Sequence, residues 1–439
     1  MSSLPDSLEV TTMSKIIKID ELTRVEGHGG IEVILEGNKV KDVKFNVFEG
    51  PRFFEHLIKT MQYDKIPDVT RRICAICTAS HSLASIGAIE NAFQVKSSPQ
   101  TYKLRDLLIH GETIESHALH VFMLALPDFL GFPDAIHMST KHLDAVKAAL
   151  ELKKTGNMIH TALSGRDVHG MNERVGGFSK VPSSEALLEI REQLVRVQPT
   201  TVLAVSILSG FALPEYNMSD NVLLALDSGD EFGYLGDHIF TSDNERIPET
   251  EYEKLTNESV VRHSYAKFSS YKGKPFMVGA LPRLYFNHGK LRGTAAELYK
   301  EHKELLDIRN TISNNIAQAI ELVHDVEYSV KVIDSLLESG LENEGLVDFE
   351  VYESRGINAV EAPRGLLYHD YTFDDEGRIT KSNIITPTAQ NAFNIEKDTR
   401  VIASNLADKP VDEVKQAIEI MVRAYDPCIS CSVHVAQLK

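Results

Sequence analysis

The sequence predicts an α+β fold, mainly α, with an N-terminal β-hairpin region set against a central bundle of long helices. Three observations predict it. Alternating apolar residues near the start flank a Gly/Asn turn, helical periodicity dominates the middle of the chain, and no repeat or low-complexity segment interrupts either. Ile31–Leu35 and Val40–Val47 flank Glu36-Gly37-Asn38-Lys39, which reads as a hairpin. Helical spacing follows over Leu104–Leu126 with Pro127 as a stop, His142–Lys153 with Gly156 as a stop, Ser184–Leu208, Ala295–Leu337 and Val411–Ala424. Ser228–Pro248 and Arg364–Pro387 are rich in Gly, Pro and Asp and read as irregular. Met13-Ser14-Lys15 resembles a second start, so residues 1–14 are expected to be a disordered lead before a single domain over 15–434. Residues 435–439 would form a short extension.

At 439 residues and 43% hydrophobic composition the chain can bury a large core. A formal charge of −17 argues against generic affinity for nucleic acid or an anionic membrane, because both present phosphate charge that an acidic surface repels. The polar start and the absence of a long apolar run predict a cytoplasmic protein.

All four cysteines sit in two CxxC pairs at opposite ends of the chain, Cys74/Cys77 and Cys428/Cys431. Thiolates are soft ligands that select nickel, copper(I), zinc or iron, so the pattern asks for a metal and requires the ends to meet. Two disulfides would need an oxidising compartment. Four-cysteine zinc sites usually bring their pairs together across about 15–20 residues, whereas Cys77 and Cys428 lie 428 − 77 = 351 positions apart. A redox CxxC would leave the other pair idle. Cys74 and Cys77 precede the apolar stretch Leu83–Phe93, so their loop opens onto a helix N-terminus that favours thiolate. His81, one helical turn on, can reach a thiolate through an imidazole N–H; a satisfied core histidine is the competing reading.

Arg24-Val25-Glu26-Gly27-His28, Arg72-Ile73-Cys74-Ala75-Ile76-Cys77 followed by His81, Glu361-Ala362-Pro363-Arg364-Gly365, and Asp426-Pro427-Cys428-Ile429-Ser430-Cys431 with His434 together resemble the large subunits of nickel–iron hydrogenases. The resemblance covers essentially the whole chain. Within that superfamily, Glu49–Glu55, Ile114–His120 and Cys428–His434 are most similar to the α subunit of cytoplasmic NADP-reducing hydrogenases, also called sulfhydrogenases.

The resemblance implies one nickel on four thiolates, with Cys77 and Cys431 bridging to an iron that carries CO and cyanide. Glu26 would carry protons. Arg364 would project over the metals with Asp426 as its charge partner, and Pro387-Thr388 would hold a cyanide. Glu55, His434 and the carbonyl of Ile384 would bind Mg2+, for which a carboxylate, carbonyl and imidazole set is suited. The chain lacks a nucleotide fingerprint and has no cysteines left for clusters. The implied partners are therefore a small subunit with iron–sulfur clusters, a further iron–sulfur subunit, a diaphorase bearing FAD and NADP, and a maturation endopeptidase that removes 435–439.

The implied activity is reversible heterolytic H2 cleavage coupled to NADP(H), with polysulfide reduction as a further activity. The alternative keeps the H2 chemistry and passes electrons to a deazaflavin coenzyme or a heterodisulfide-reductase complex. A relative in respiratory complex I has lost the cysteines, so all four being present points away from a non-catalytic descendant. Ser116 stands where membrane-bound and periplasmic relatives carry aspartate near this arginine, which shifts the neutralising role onto Asp426. Gly170 stands where many relatives have proline. Glu115, His117 and His120 form one ExH and HxxH cluster, which is too little for a di-iron site and reads as buried polar packing.

Overall fold

The computed structural model describes residues 14–50, 52–216 and 221–433. Its N-terminal sheet has three antiparallel strands in the order Ser14–Ile19, Gly29–Glu36, Lys39–Val47. The expected hairpin is there, and the segment before it supplies a third strand by pairing Ser14 with Glu36. Ser14 therefore belongs to the sheet and not to the lead; residues 1–13 lie outside the described residues.

The bundle is built from Pro99–Leu119, Ala135–Ser164, Ser184–Ser209 and Asn314–Ser339. Ser98, Asp134 and Ser183 cap the first three, each accepting a hydrogen bond from the backbone N–H three residues on. Two expected stops are not stops. Pro127 opens the short helix Leu126–Leu130, which continues from Pro99–Leu119 through a π-helical segment, His120–Ala125. Gly156 lies inside its helix because a Cβ there would fall 2.5 Å from Gly111 O of the neighbouring helix. The glycine serves close packing, and the helix ends at Gly165 in the left-handed conformation.

The predicted Ala295–Leu337 helix is broken. Gly293–His302 stops, and the chain turns through Asp307 and Asn310 before Asn314–Ser339 begins. Asp307 and Asn310 accept from the N–H groups two residues on, a local bond that competes with the helix ladder. Ser184–Ser209 and Val411–Ala424 match expectation closely.

The Arg364–Pro387 segment is not irregular. Gly365–Phe373 and Ile379–Ile385 complete a three-stranded antiparallel sheet with Ser354–Ala362, and its Asp and Gly residues form the turn Asp374–Gly377. Part of Ser228–Pro248 likewise pairs, as His238–Thr241 and Arg246–Pro248, in a four-stranded sheet with Val222–Asp227 and Phe276–Met277.

Candidate metal centre

The Cys74–Cys77 loop caps the helix Thr78–Phe93, and the Cys428–Cys431 loop follows Val411–Ala424 after Asp426 in the left-handed region. Both loops end at one buried point. The four Sγ atoms lie within 4.8 Å of one another, and Cys74 Sγ is 3.4 Å from Cys428 Sγ. Cys74 Sγ also accepts from the N–H groups of Ile76 and Cys77, at 3.3 Å each.

Proton sharing by Cys428, Cys431 and Cys77 holds the Cys74 thiol well below its ordinary range, while burial pushes Cys428 and Cys431 well above it. Four thiolates cannot coexist here unaided. The donor set, four soft sulfurs in a buried cluster, fits a bound soft cation that would offset their charge.

Glu26 reaches the cluster through the backbone. Ile429 N–H donates to Glu26 O at 2.9 Å, and a parallel bridge joins Glu26 to Cys428. Gly27 is required beside it: its φ is +86°, and a Cβ would fall 2.7 Å from Ser430 N. The Glu26 carboxylate then lies with Oε2 at 3.2 Å from Cys428 Sγ and 3.1 Å from Ser430 N, and the Ser430 hydroxyl donates to Oε1. The two arms are tied a second time by Asp128, which takes both Arg24 and Arg423.

Arg364 is buried. Its Nη1 is 3.4 Å from Cys77 Sγ, Nη2 is 3.1 Å from Asp426 Oδ1, and Nε donates to Asp426 O at 2.9 Å. Burial works against both charges, but Arg364 holds the Asp426 carboxyl below its usual range. Gln318 Nε2 donates to the other Asp426 oxygen at 3.2 Å, and Ser116 is buried without a partner for its hydroxyl.

Thr388 Oγ1 accepts from Cys428 N at 2.8 Å, and Pro387 is the first residue of the Pro387–Asn405 helix, whose positive end faces the C-terminal cysteine loop. His81 directs Nδ1 to His369 Nε2 at 3.1 Å, and His369 is held in turn by Tyr371. Of the motif cluster on Pro99–Leu119 and the π segment, Glu115 pairs with Lys153, His117 with Glu321 and His120 with Gln318, which is the polar packing expected of it.

Glu55 Oε1 accepts from Ile384 N at 2.9 Å and from Lys267 Nζ at 3.2 Å. Lys267 also meets Glu258 Oε2 at 3.0 Å and Asn383 Oδ1 at 3.2 Å. Glu258 keeps a second buried oxygen without a partner, a donor chemistry that fits a hard cation or its waters. His434 and 435–439 lie outside the described residues.

Sequence reasoning missed Ser430, Gln318, Glu112 and Arg283. Glu112 accepts from Ala79 N at 2.5 Å and Ser80 N at 3.0 Å, neutralising the helix N-terminus beside Cys77; burial pushes its pKa up to about 8. Polar residues recurring at 318, 321 and 325 on an otherwise apolar helix were the available signal.

The fold and this site define a large subunit of the hydrogenase class. A family model for nickel-dependent hydrogenase matches residues 52–178 and 236–434, a second model described as HoxL-like matches 16–49, and the chain belongs to the nickel-dependent hydrogenase large-subunit family. It is 40% identical to the α subunit of sulfhydrogenase 2 from Pyrococcus furiosus, over 96% of this chain and 100% of that one. Sulfhydrogenase 1 subunit alpha of the same organism is 37% identical, over 96% and 98%. Among solved structures, an NAD+-reducing [NiFe]-hydrogenase in the H2-reduced state superposes with a TM-score of 0.85 at 25% identity, covering 96% of this chain and 99% of that chain. Among the described residues no single helix is long and apolar enough to cross a membrane.

Proposed function

We propose that this subunit cleaves and forms H2 heterolytically and exchanges its electrons with NADP(H) through partner subunits. The observation that carries the reading is the convergence of four buried thiols with a carboxylate 3.2 Å from one of them. Cys74, Cys77, Cys428 and Cys431 would hold a nickel–iron centre, with Cys77 and Cys431 bridging to iron. That centre supplies the site at which H2 is polarised and its electrons are taken up.

The protein's own groups move and balance the proton. The Cys428 sulfur takes it, and Glu26 Oε2 receives it across the 3.2 Å contact. The permanently charged Arg364 polarises the space beside Cys77, with Asp426 neutralising it. Thr388 and Pro387 present a hydroxyl and a helix N-terminus to an anionic ligand of the iron. Glu55, the carbonyl of Ile384 and His434 would bind Mg2+, with Glu258 and Lys267 alongside. The chain itself would work in the cytoplasm, and removal of 435–439 by an endopeptidase would complete the site.

Electron exit requires a small subunit with iron–sulfur clusters, a further iron–sulfur subunit and a flavin diaphorase. The sulfhydrogenase relatives support NADP(H) as the acceptor and polysulfide as a second one. F420-non-reducing hydrogenase subunits, at 29% identity for that of Methanococcus voltae, mark the competing acceptor systems. The purified native complex should reduce NADP+ under H2. Reduction of a deazaflavin coenzyme or a heterodisulfide instead, with NADP+ inert, would replace the acceptor while keeping the H2 chemistry.

A further inference from the structure

Arg283 is fully buried on the helix Ala280–Asn287, and all five of its N–H groups are used. Nε and Nη2 grip Glu321 in a fork at 2.7 Å each, and Nη1 donates to Glu361 Oε2 at 2.9 Å. The other two N–H groups go to consecutive backbone carbonyls, Ala362 O at 3.0 Å and Pro363 O at 2.9 Å. Arg364 is the next residue.

The anchors of Arg283 are themselves fixed. Glu321 also meets His117 Nε2 at 2.8 Å, and Glu361 accepts from Leu226 N at 2.8 Å. Burial opposes the charge on Glu321, yet Arg283 holds its pKa at about 2, so the fork stays ionised. The proline ring at 363 removes one torsion from the gap between the gripped carbonyls and the Arg364 Cα.

We infer that Arg283 is a positioning residue for the H2 site: by clamping the carbonyls of Ala362 and Pro363 it sets where the Arg364 guanidinium stands against Cys77 Sγ. A plain ion-pair hub would need Glu321 and Glu361 only. Two donors spent on the backbone immediately before Arg364 give the cluster its second task, and a guanidinium suits it because a point-charge ammonium cannot reach five acceptors in a plane. The inference rests on the proposed role of Arg364.

The test is a double-mutant cycle in the complete enzyme, read as H2/D+ exchange and nickel per chain. Arg283→Lys keeps the charge and loses the fork. Exchange should fall about 10- to 100-fold, the cost of a roughly 1 Å misplacement, with nickel retained. A crystal structure of that variant should show Arg364 displaced from Cys77. In an Arg364→Lys background the same change should cost nothing further.

If Arg283→Lys does not accumulate, Glu321→Gln loosens the fork with the guanidinium in place and should show a smaller loss that also vanishes in that background. Losses that multiply, nickel lost together with exchange, or an unmoved Arg364 would overturn the clamp. Exchange unaffected by Arg364→Lys alone would instead overturn the role of Arg364, and the clamp with it.

Discussion

At the scale of single residues, the account stands on one sulfur and one carboxylate. Cys428→Ser replaces a soft ligand with a hard, weakly acidic hydroxyl, so nickel retention and H2 activation should be lost together; metal analysis beside an exchange assay checks this. Glu26→Gln keeps the shape and the contact to Ser430 but removes the titratable proton. H2/D+ exchange should fall by about 10²–10⁴-fold with normal metal content, and exchange at the parent rate would move the proton route elsewhere.

Glu249 offers an independent reading of burial. Burial pushes its pKa up to about 7, against hydrogen bonds from Ala359 N and Asn358, whereas the unfolded chain titrates near 4.5. Between those values the folded protein binds more protons, so this group's stabilisation is complete below about 4.5 and is lost as pH rises through about 7. Relative to Glu249→Gln, the parent should lose about 3 kcal/mol across that window, measured as a narrowing difference in thermal midpoint. A difference independent of pH would contradict it.

At the scale of elements, the cysteine loops, Glu26, Arg364 and the Ser184–Ser209 helix were legible because each carries a local signal: a spacing, a motif or a capping serine before an apolar period. What was not legible depends on distant partners. Gly156 reads as a stop in isolation, and only Gly111 on the facing helix makes it a packing site. The strands Gly365–Phe373 and Ile379–Ile385 are hidden by the Asp and Gly of their own turn, and Arg283 acts through carbonyls 79 and 80 positions away. Gly156→Val should therefore destabilise the bundle by about 1–3 kcal/mol through overpacking, seen as a lower thermal midpoint with the helix content of the fold retained. An unchanged midpoint would mean that the helices separate freely.

At the scale of the whole molecule, the site exists only because the two ends of the chain meet. The Glu26–Cys428 bridge, the Asp128 pairing of Arg24 with Arg423, and the Thr388 contact to Cys428 N close the N-terminal motif, the C-terminal arm and the Pro387–Asn405 helix around four sulfurs. Maturation should act on the same junction, because residues beyond His434 extend the arm that carries Cys431. Mass spectrometry of active enzyme should find a C-terminus at His434, with the longer chain accumulating when nickel is withheld. A fully active enzyme ending at Lys439 would remove processing from the account and leave the centre intact. The central claim, that the four cysteines converge on one nickel, is tested most directly by nickel K-edge X-ray absorption on the active complex. The account predicts one nickel per chain with a first shell of four sulfurs, and a shell of nitrogen and oxygen, or no nickel at all, would contradict it.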